Sequence, residues 1–295
     1  KHGYGSAGLV TGDFFREEYQ TNYYIATQVQ PQISLWDGVV MGGGVGVSIH
    51  GKYRVCTENT VFAMPETAIG LFPDVGGTYW LPRLDGGFGN YLALTGQRLT
   101  GRDLIYTGIA THYVECGKLC DFEDRLVECE NAEEVLKEFE CEIDAEDCFL
   151  ATHRTEIDAA FEAESVEDIF DRLKNLGTEF GENTLKTLEK MSPTSLKVTL
   201  ESMKRGKQMD IHDCLKMEYR MCQQFMKDGK SDFYEGIRAL LIDKDNQPNW
   251  NPNTLDKITD DMIQDFFQNL GDRELQLVKA TTTKQNSDTA KASKL

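Results

Sequence analysis

The sequence predicts an α/β part followed by a mostly helical part, and two observations carry that reading. From Gln30 to Gly77 short apolar runs alternate with glycine-rich punctuation, whereas past Cys116 glycine becomes sparse and apolar residues recur at helical spacing. Hydrophobic residues make up 40% of the 295 positions, enough for a sizeable core.

In chain order, Ile33–Trp36 predicts a buried strand that stops at the turn signal Asp37-Gly38. Small residues at Met41–Gly46 lead into an apolar run, as in a loop entering a helix packed against a sheet. Val55–Thr57 and Val61–Met64 are two further strands, and Gly87–Leu94 and Gly101–Gly108 are helices. Ser165 begins a capping-box pattern for a helix through Leu176, and Pro193 sits at a first helical position after Ser192. Asp210–Met226, Phe233–Ile242 and Asp260–Leu270 complete the helices, and a polar tail from Gly271 is expected to be disordered.

The net charge is −18, which disfavours nucleic acid, since phosphates need a basic footprint. No run of eighteen or more apolar residues occurs, so no membrane span is expected. The eight cysteines are irregularly spaced along a long chain, as expected for reduced thiols. His112, Cys116 and Cys120 fall at i, i+4, i+8 but have no fourth ligand, so no metal is expected. Gly46–Lys52 follows a phosphate-loop pattern until Tyr53 stands where Ser or Thr should hold magnesium. There is no Gly-x-Ser-x-Gly elbow, and the histidines are expected as surface or satisfied core residues. The last three residues, Ser293-Lys294-Leu295, match a peroxisomal address read by an import receptor.

Chemistry concentrates between Met41 and Gly77. Gly42, Gly43 and Gly44 let backbone approach a ligand closely, and a helix start there offers N–H groups to a developing oxyanion. Glu66 and Asp74 stand among Ile69, Leu71, Phe72 and Val75, and poor solvation of a carboxyl raises its pKa and fits it for acid, base or nucleophilic work. A glutamate beside a proline also serves as a helix cap, and an aspartate before Val-Gly-Gly as a turn residue.

Met41–Gly46 followed by Pro65–Gly77 resembles the enoyl-CoA hydratase/isomerase (crotonase) superfamily. Within it, Phe14–Tyr19, Pro65–Asp74, Met191–Lys197, Met217–Arg220 and Glu235–Lys244 resemble the 3-hydroxyisobutyryl-CoA hydrolase branch, over about Phe14 to Leu270. The resemblance implies a spiral of ββα turns with a helical C-terminal region. Its expected divisions are 1–115 for the α/β core, 116–270 for the helical region completing it, and 271–295 for the tail. It implies hydrolysis of the thioester of 3-hydroxyisobutyryl-CoA in valine breakdown, without metal or redox cofactor. Gly43 is then an oxyanion N–H donor, Glu66 and Asp74 are catalytic carboxylates, and Glu18 contacts substrate. Whether Glu66 attacks the carbonyl or activates water stays open.

The family's upstream Ala-Phe-x-x-Gly-Gly-Asp loop, source of the other oxyanion N–H, has no aligned counterpart in Lys1–Asp13, so the N-terminal part of the core is expected to be missing. Trp36 and Asp37 stand where the branch commonly has an aliphatic residue and His. The alternatives carried forward are a crotonase-type enoyl-CoA hydratase and a non-catalytic acyl-CoA-binding relative. Expected partners are an acyl-CoA substrate, the import receptor and further copies of the chain. The expected compartment is the peroxisome, or alternatively the mitochondrial matrix implied by animal members of the branch.

Overall fold

A computed structural model describes residues 7–144, 147–229 and 231–280. The proposed peroxisomal address at Ser293–Leu295 lies outside them. The chain opens with a 21-residue helix, α1 (Ala7–Thr27), that the sequence did not announce. Gly8, Thr11, Gly12 and Thr21 are poor helix formers, and packing of α1 along a late helix overrides that preference.

Strands β1 (Ile33–Trp36) and β2 (Val39–Met41) lead into the one-turn helix α2 (Gly43–Gly46). Strands β3 (Tyr53–Cys56) and β4 (Val61–Ala63) then lead, past a 3₁₀ turn at Glu66–Ile69, into short helices α3 (Gly77–Trp80), α4 (Phe88–Thr95) and α5 (Gly101–Thr107). The two-residue strand β5 (His112–Tyr113) follows. All the ladders are parallel. One sheet has the order β1-β3-β5, starting at Ile33 opposite Tyr53, and the other pairs β2 with β4. The first two turns of chain each add one strand to each sheet, the third adds β5 to the first sheet, and the chain crosses back through helix between turns because parallel neighbours need a long return connection. This is the spiral the sequence implied. β2 was not foreseen; its three residues are squeezed between the Gly38 turn and the glycine cluster.

The remaining helices are α6 (Leu119–Glu128), α7 (Ala132–Phe139), α8 (Phe149–Thr152), α9 (Arg154–Phe161), α10 (Val166–Leu176), α11 (Glu179–Leu188), α12 (Pro193–Gly206), α13 (Ile211–Phe225), α14 (Asp232–Ile237) and α15 (Asp260–Asp265). Ser165, Thr178, Ser192 and Asp210 each accept a hydrogen bond from the N–H three residues on, capping α10, α11, α12 and α13. The helix expected to reach Leu270 ends at Asp265. There the Phe266 and Phe267 N–H groups bond three residues back, tightening the turn and sending both rings into the core.

One apolar cluster runs from Phe15 to Leu275 and joins strands, α1 and the late helices. A smaller one, with Val55, Val114, Phe122 and Leu136, lies under α6 and α7. Full burial of each such Leu or Phe contributes roughly 1.5–3 kcal/mol. The segment expected to be a disordered tail from Gly271 is packed as far as Ala280. Leu275 is fully buried, Glu274 pairs with Arg220, and the Val278 backbone exchanges two hydrogen bonds with the Gln20 side chain on α1.

All eight cysteines are free. No helix among the described residues is long and apolar enough to cross a membrane.

Candidate active site

The structure gathers Glu18, Gly43, Glu66 and Asp74 at one place. α1 supplies Glu18, the start of α2 supplies Gly43, the 3₁₀ turn begins with Glu66, and the turn before α3 presents Asp74. A Cβ placed on Gly43 would lie 3.2 Å from Glu18 Oε1, and one on Gly42 would lie 3.3 Å from Glu66 Oε1. The carboxylates of α1 and of the 3₁₀ turn therefore flank the glycine run.

Gly42 precedes α2 and has no side chain to cap it. The first-turn N–H groups of a helix have no acceptor within the helix, so those at Gly43 and Gly44 remain available to a ligand. Close approach is required on the far side of α2 too. A Cβ on Gly46 would meet Val75 Cβ at 2.7 Å, so the helix seats directly on the turn that carries Asp74. Asn22 Nδ2 on α1 donates to the Gly46 carbonyl at 3.0 Å and fixes the other end of the same helix.

Glu66 and Asp74 are only 5% and 6% exposed. Burial, reinforced by Asp74 and then Glu18, pushes the Glu66 carboxyl well above the ordinary range. Its Oε2 is buried without a hydrogen-bond partner among the described residues. Burial pushes Asp74 up to about 6, against the pull of the Tyr19 hydroxyl, which donates to Asp74 Oδ2 at 2.9 Å. Burial and then the Asp74 charge push Glu18 up to about 7. Three carboxyls thus face one another with no cation paired to them among the described residues, a state that favours shared protons and proton transfer.

Several groups around these residues were not picked out from sequence. Tyr19 is fully buried and its oxygen lies 3.0 Å from Cys222 Sγ on α13. With the tyrosine proton directed at Asp74, the thiol is the donor to that oxygen. Glu218, also on α13, accepts from Gly76 N at 2.8 Å, Thr78 N at 3.0 Å and Thr78 Oγ1 at 2.7 Å. His50 Nε2 lies 2.8 Å from the Val75 carbonyl, which can only accept, so that nitrogen carries the proton. Burial lowers the His50 pKa to about 4, making it the satisfied neutral core histidine expected. Tyr19 and Glu218 lie in segments that carry the family resemblance, but their partners stand 55 and about 140 residues away, beyond any local pattern.

The residues weighed for metal do not form a group. His112 lies in β5, while Cys116 Sγ donates to Asp37 at 3.5 Å. Among the described residues the one cluster with metal-like spacing is Asp210, His212 and Asp213, at the start of α13. Its Asp210 caps the helix and its His212 pairs with Asp213. Trp36 and Asp37, which depart from the branch pattern, are built into the fold: Trp36 packs against Phe62, and Asp37 accepts from Thr57 and Asn59.

The family model for enoyl-CoA hydratase/isomerase matches residues 4–267. The chain is 49% identical over 282 residues to the mitochondrial 3-hydroxyisobutyryl-CoA hydrolase of Gallus gallus, covering 92% of this chain and 73% of that one. It is 50% identical over the same length and coverage to the protein of that name from Xenopus tropicalis. Among solved structures, a carnitinyl-CoA dehydratase from Mycobacterium thermoresistibile superposes with a TM-score of 0.86 at 37% identity, covering 92% of this chain and 78% of that one. With its ββα spiral, glycine-led helix and paired buried carboxyls, the chain belongs to the enoyl-CoA hydratase/isomerase family, on the branch of the 3-hydroxyisobutyryl-CoA hydrolases.

Proposed function

We propose that this protein hydrolyses the thioester of 3-hydroxyisobutyryl-CoA to 3-hydroxyisobutyrate and CoA. The observation that carries the reading is the seating of Glu66 and Asp74, both buried and raised in pKa, beside the uncapped start of α2. The relatives named as this hydrolase support the choice of substrate.

In this reading the Gly43 N–H receives the thioester oxygen as negative charge develops on it. Glu66 is the group at the reacting carbonyl. Its partner-free Oε2 is oriented by no protein donor, and a base or nucleophile held in a poorly solvated site is strong once ionised. Asp74, held by Tyr19, orients the 3-hydroxyl of the substrate or passes a proton, and Glu18 lines the pocket. The chemistry requires no metal or redox cofactor. The measurement is thiol release from 3-hydroxyisobutyryl-CoA; full activity in Glu66→Gln would remove that carboxyl from the mechanism.

A second reading, addition of water across an enoyl-CoA double bond, is favoured by the likeness to the carnitinyl-CoA dehydratase structure. Incubation with crotonyl-CoA separates the two: loss of the conjugated-thioester absorbance without thiol release selects the hydratase. For location, the mitochondrial relatives support the matrix, and Ser293-Lys294-Leu295 supports the peroxisome. A fluorescent protein fused ahead of Lys1 decides between them, with peroxisomal puncta that vanish on deletion of 293–295 selecting the second.

A further inference from the structure

We propose that Glu218 is a positioning residue for Asp74, gripping the turn that presents the aspartate to the site. This inference rests on the hydrolase reading for its kinetic consequence and on geometry for its substance. α13 delivers the Glu218 carboxylate to full burial, where both oxygens are occupied by donors two and four residues past Asp74.

The turn needs such a grip. Val75, a β-branched residue, sits at φ 51°, and Gly76 follows at φ 86°. A branched side chain at positive φ costs on the order of 1–3 kcal/mol and persists only where its surroundings over-determine it. Gly77 N closes the turn onto the Asp74 carbonyl at 2.8 Å, and His50 holds the Val75 carbonyl from the opposite side. Gly76 must remain glycine because a Cβ there would meet His50 Cε1 at 2.4 Å. One turn further along α13, Cys222 touches the Tyr19 oxygen that in turn donates to Asp74 Oδ2. A single helix therefore reaches Asp74 twice, through its backbone turn at Glu218 and through its side-chain partner at Cys222. Three donors match a carboxylate; in Glu218→Gln one oxygen becomes an NH₂ that faces an N–H, and the grip fails on one side.

The alternative is that Glu218 serves only to hold the fold together. Thiol release is measured for the wild type, Glu218→Gln, Asp74→Asn and the double variant, and a crystal structure of Glu218→Gln is determined. Positioning predicts a kcat loss of roughly a hundredfold with KM within about threefold, the scale expected of an ångström-sized misplacement. In the Asp74→Asn background the same substitution should cost less than about twofold, because the group it positions is already gone. The crystal structure should show the Tyr19–Asp74 bond opened beyond hydrogen-bonding range with Glu66 in place.

An equal kcat loss in both backgrounds, or Asp74 unmoved in the variant structure, overturns the proposal. If Glu218→Gln does not fold, Thr78→Ala removes one donor only. Its expected kcat loss of about fivefold must then disappear in the Asp74→Asn background, and an unchanged kcat overturns the proposal. A wild-type protein that releases no thiol sinks the hydrolase reading, while the variant structure still decides the positioning.

Discussion

The glycine-led site and the late helices follow opposite rules. In the helical part, Ser165, Thr178, Ser192 and Asp210 satisfy the first-turn N–H groups of their own helices from a few residues away. Around the site, α2, the 3₁₀ turn of Glu66 and α3 begin at Gly42, Pro65 and Gly76 with no side-chain cap. These four helices close their polar groups locally. The site leaves the α2 donors open, fills those of α3 from Glu218 on α13, and keeps a valine at positive φ, so that its order is imposed from α1 and α13. The positive φ of Val75 and the partner-free Glu66 Oε2 both lie where chemistry is proposed.

That contrast breaks most severely at Glu66. Glu66→Gln should lower thiol release by roughly a thousandfold while leaving melting nearly unchanged, since the amide matches the size of a carboxyl that burial already holds toward its neutral form. Next is Gly46→Ala, whose methyl is driven against Val75. It should lower kcat by about thirtyfold and stability by roughly 1–3 kcal/mol, read by kinetics and by chemical denaturation.

Tyr19→Phe removes a bond that pulls the Asp74 pKa down, so the acid limb of the pH–rate profile should move upward from about 6 and kcat should fall about tenfold.

A smaller effect comes from pH alone. Asp74 and Glu18 have folded-state pKa values raised to about 6 and 7, above their unfolded values, so their contribution to stability is greatest below the unfolded values and is lost as pH rises through the folded ones. Thermal melting should therefore be higher near pH 5 than near pH 8, with a shallower slope in Asp74→Asn. The smallest is Ser165→Ala, which should cost about 1 kcal/mol of stability with kcat unchanged. A kcat loss there would dissolve the distinction between the two regions.

The same contrast explains what the sequence made legible. Capping residues and helical spacing are local, so α10 and α13 were placed within a residue and the start of α12 at its proline. Gly43, Glu66 and Asp74 were singled out because they fall within 32 residues of chain, and the family resemblance added Glu18. Tyr19, Cys222 and Glu218 were not, because their partners lie far away in sequence; only folding brings α1 and α13 to the same turn. α1 itself was missed because its glycines and threonines argue against a helix that tertiary packing nonetheless forms.

The pairing of α1 with α13 also has a temporal side. Glu66 and Asp74 leave the ribosome well before residues 218 and 222, whose contacts with the Asp74 turn span some 140 residues and with Tyr19 some 203. Contacts so distant in sequence form late, so a nascent chain carries the carboxyls long before it can hold them in register. Until α13 docks, the Asp74 turn lacks both the Glu218 grip and the Cys222 contact with Tyr19.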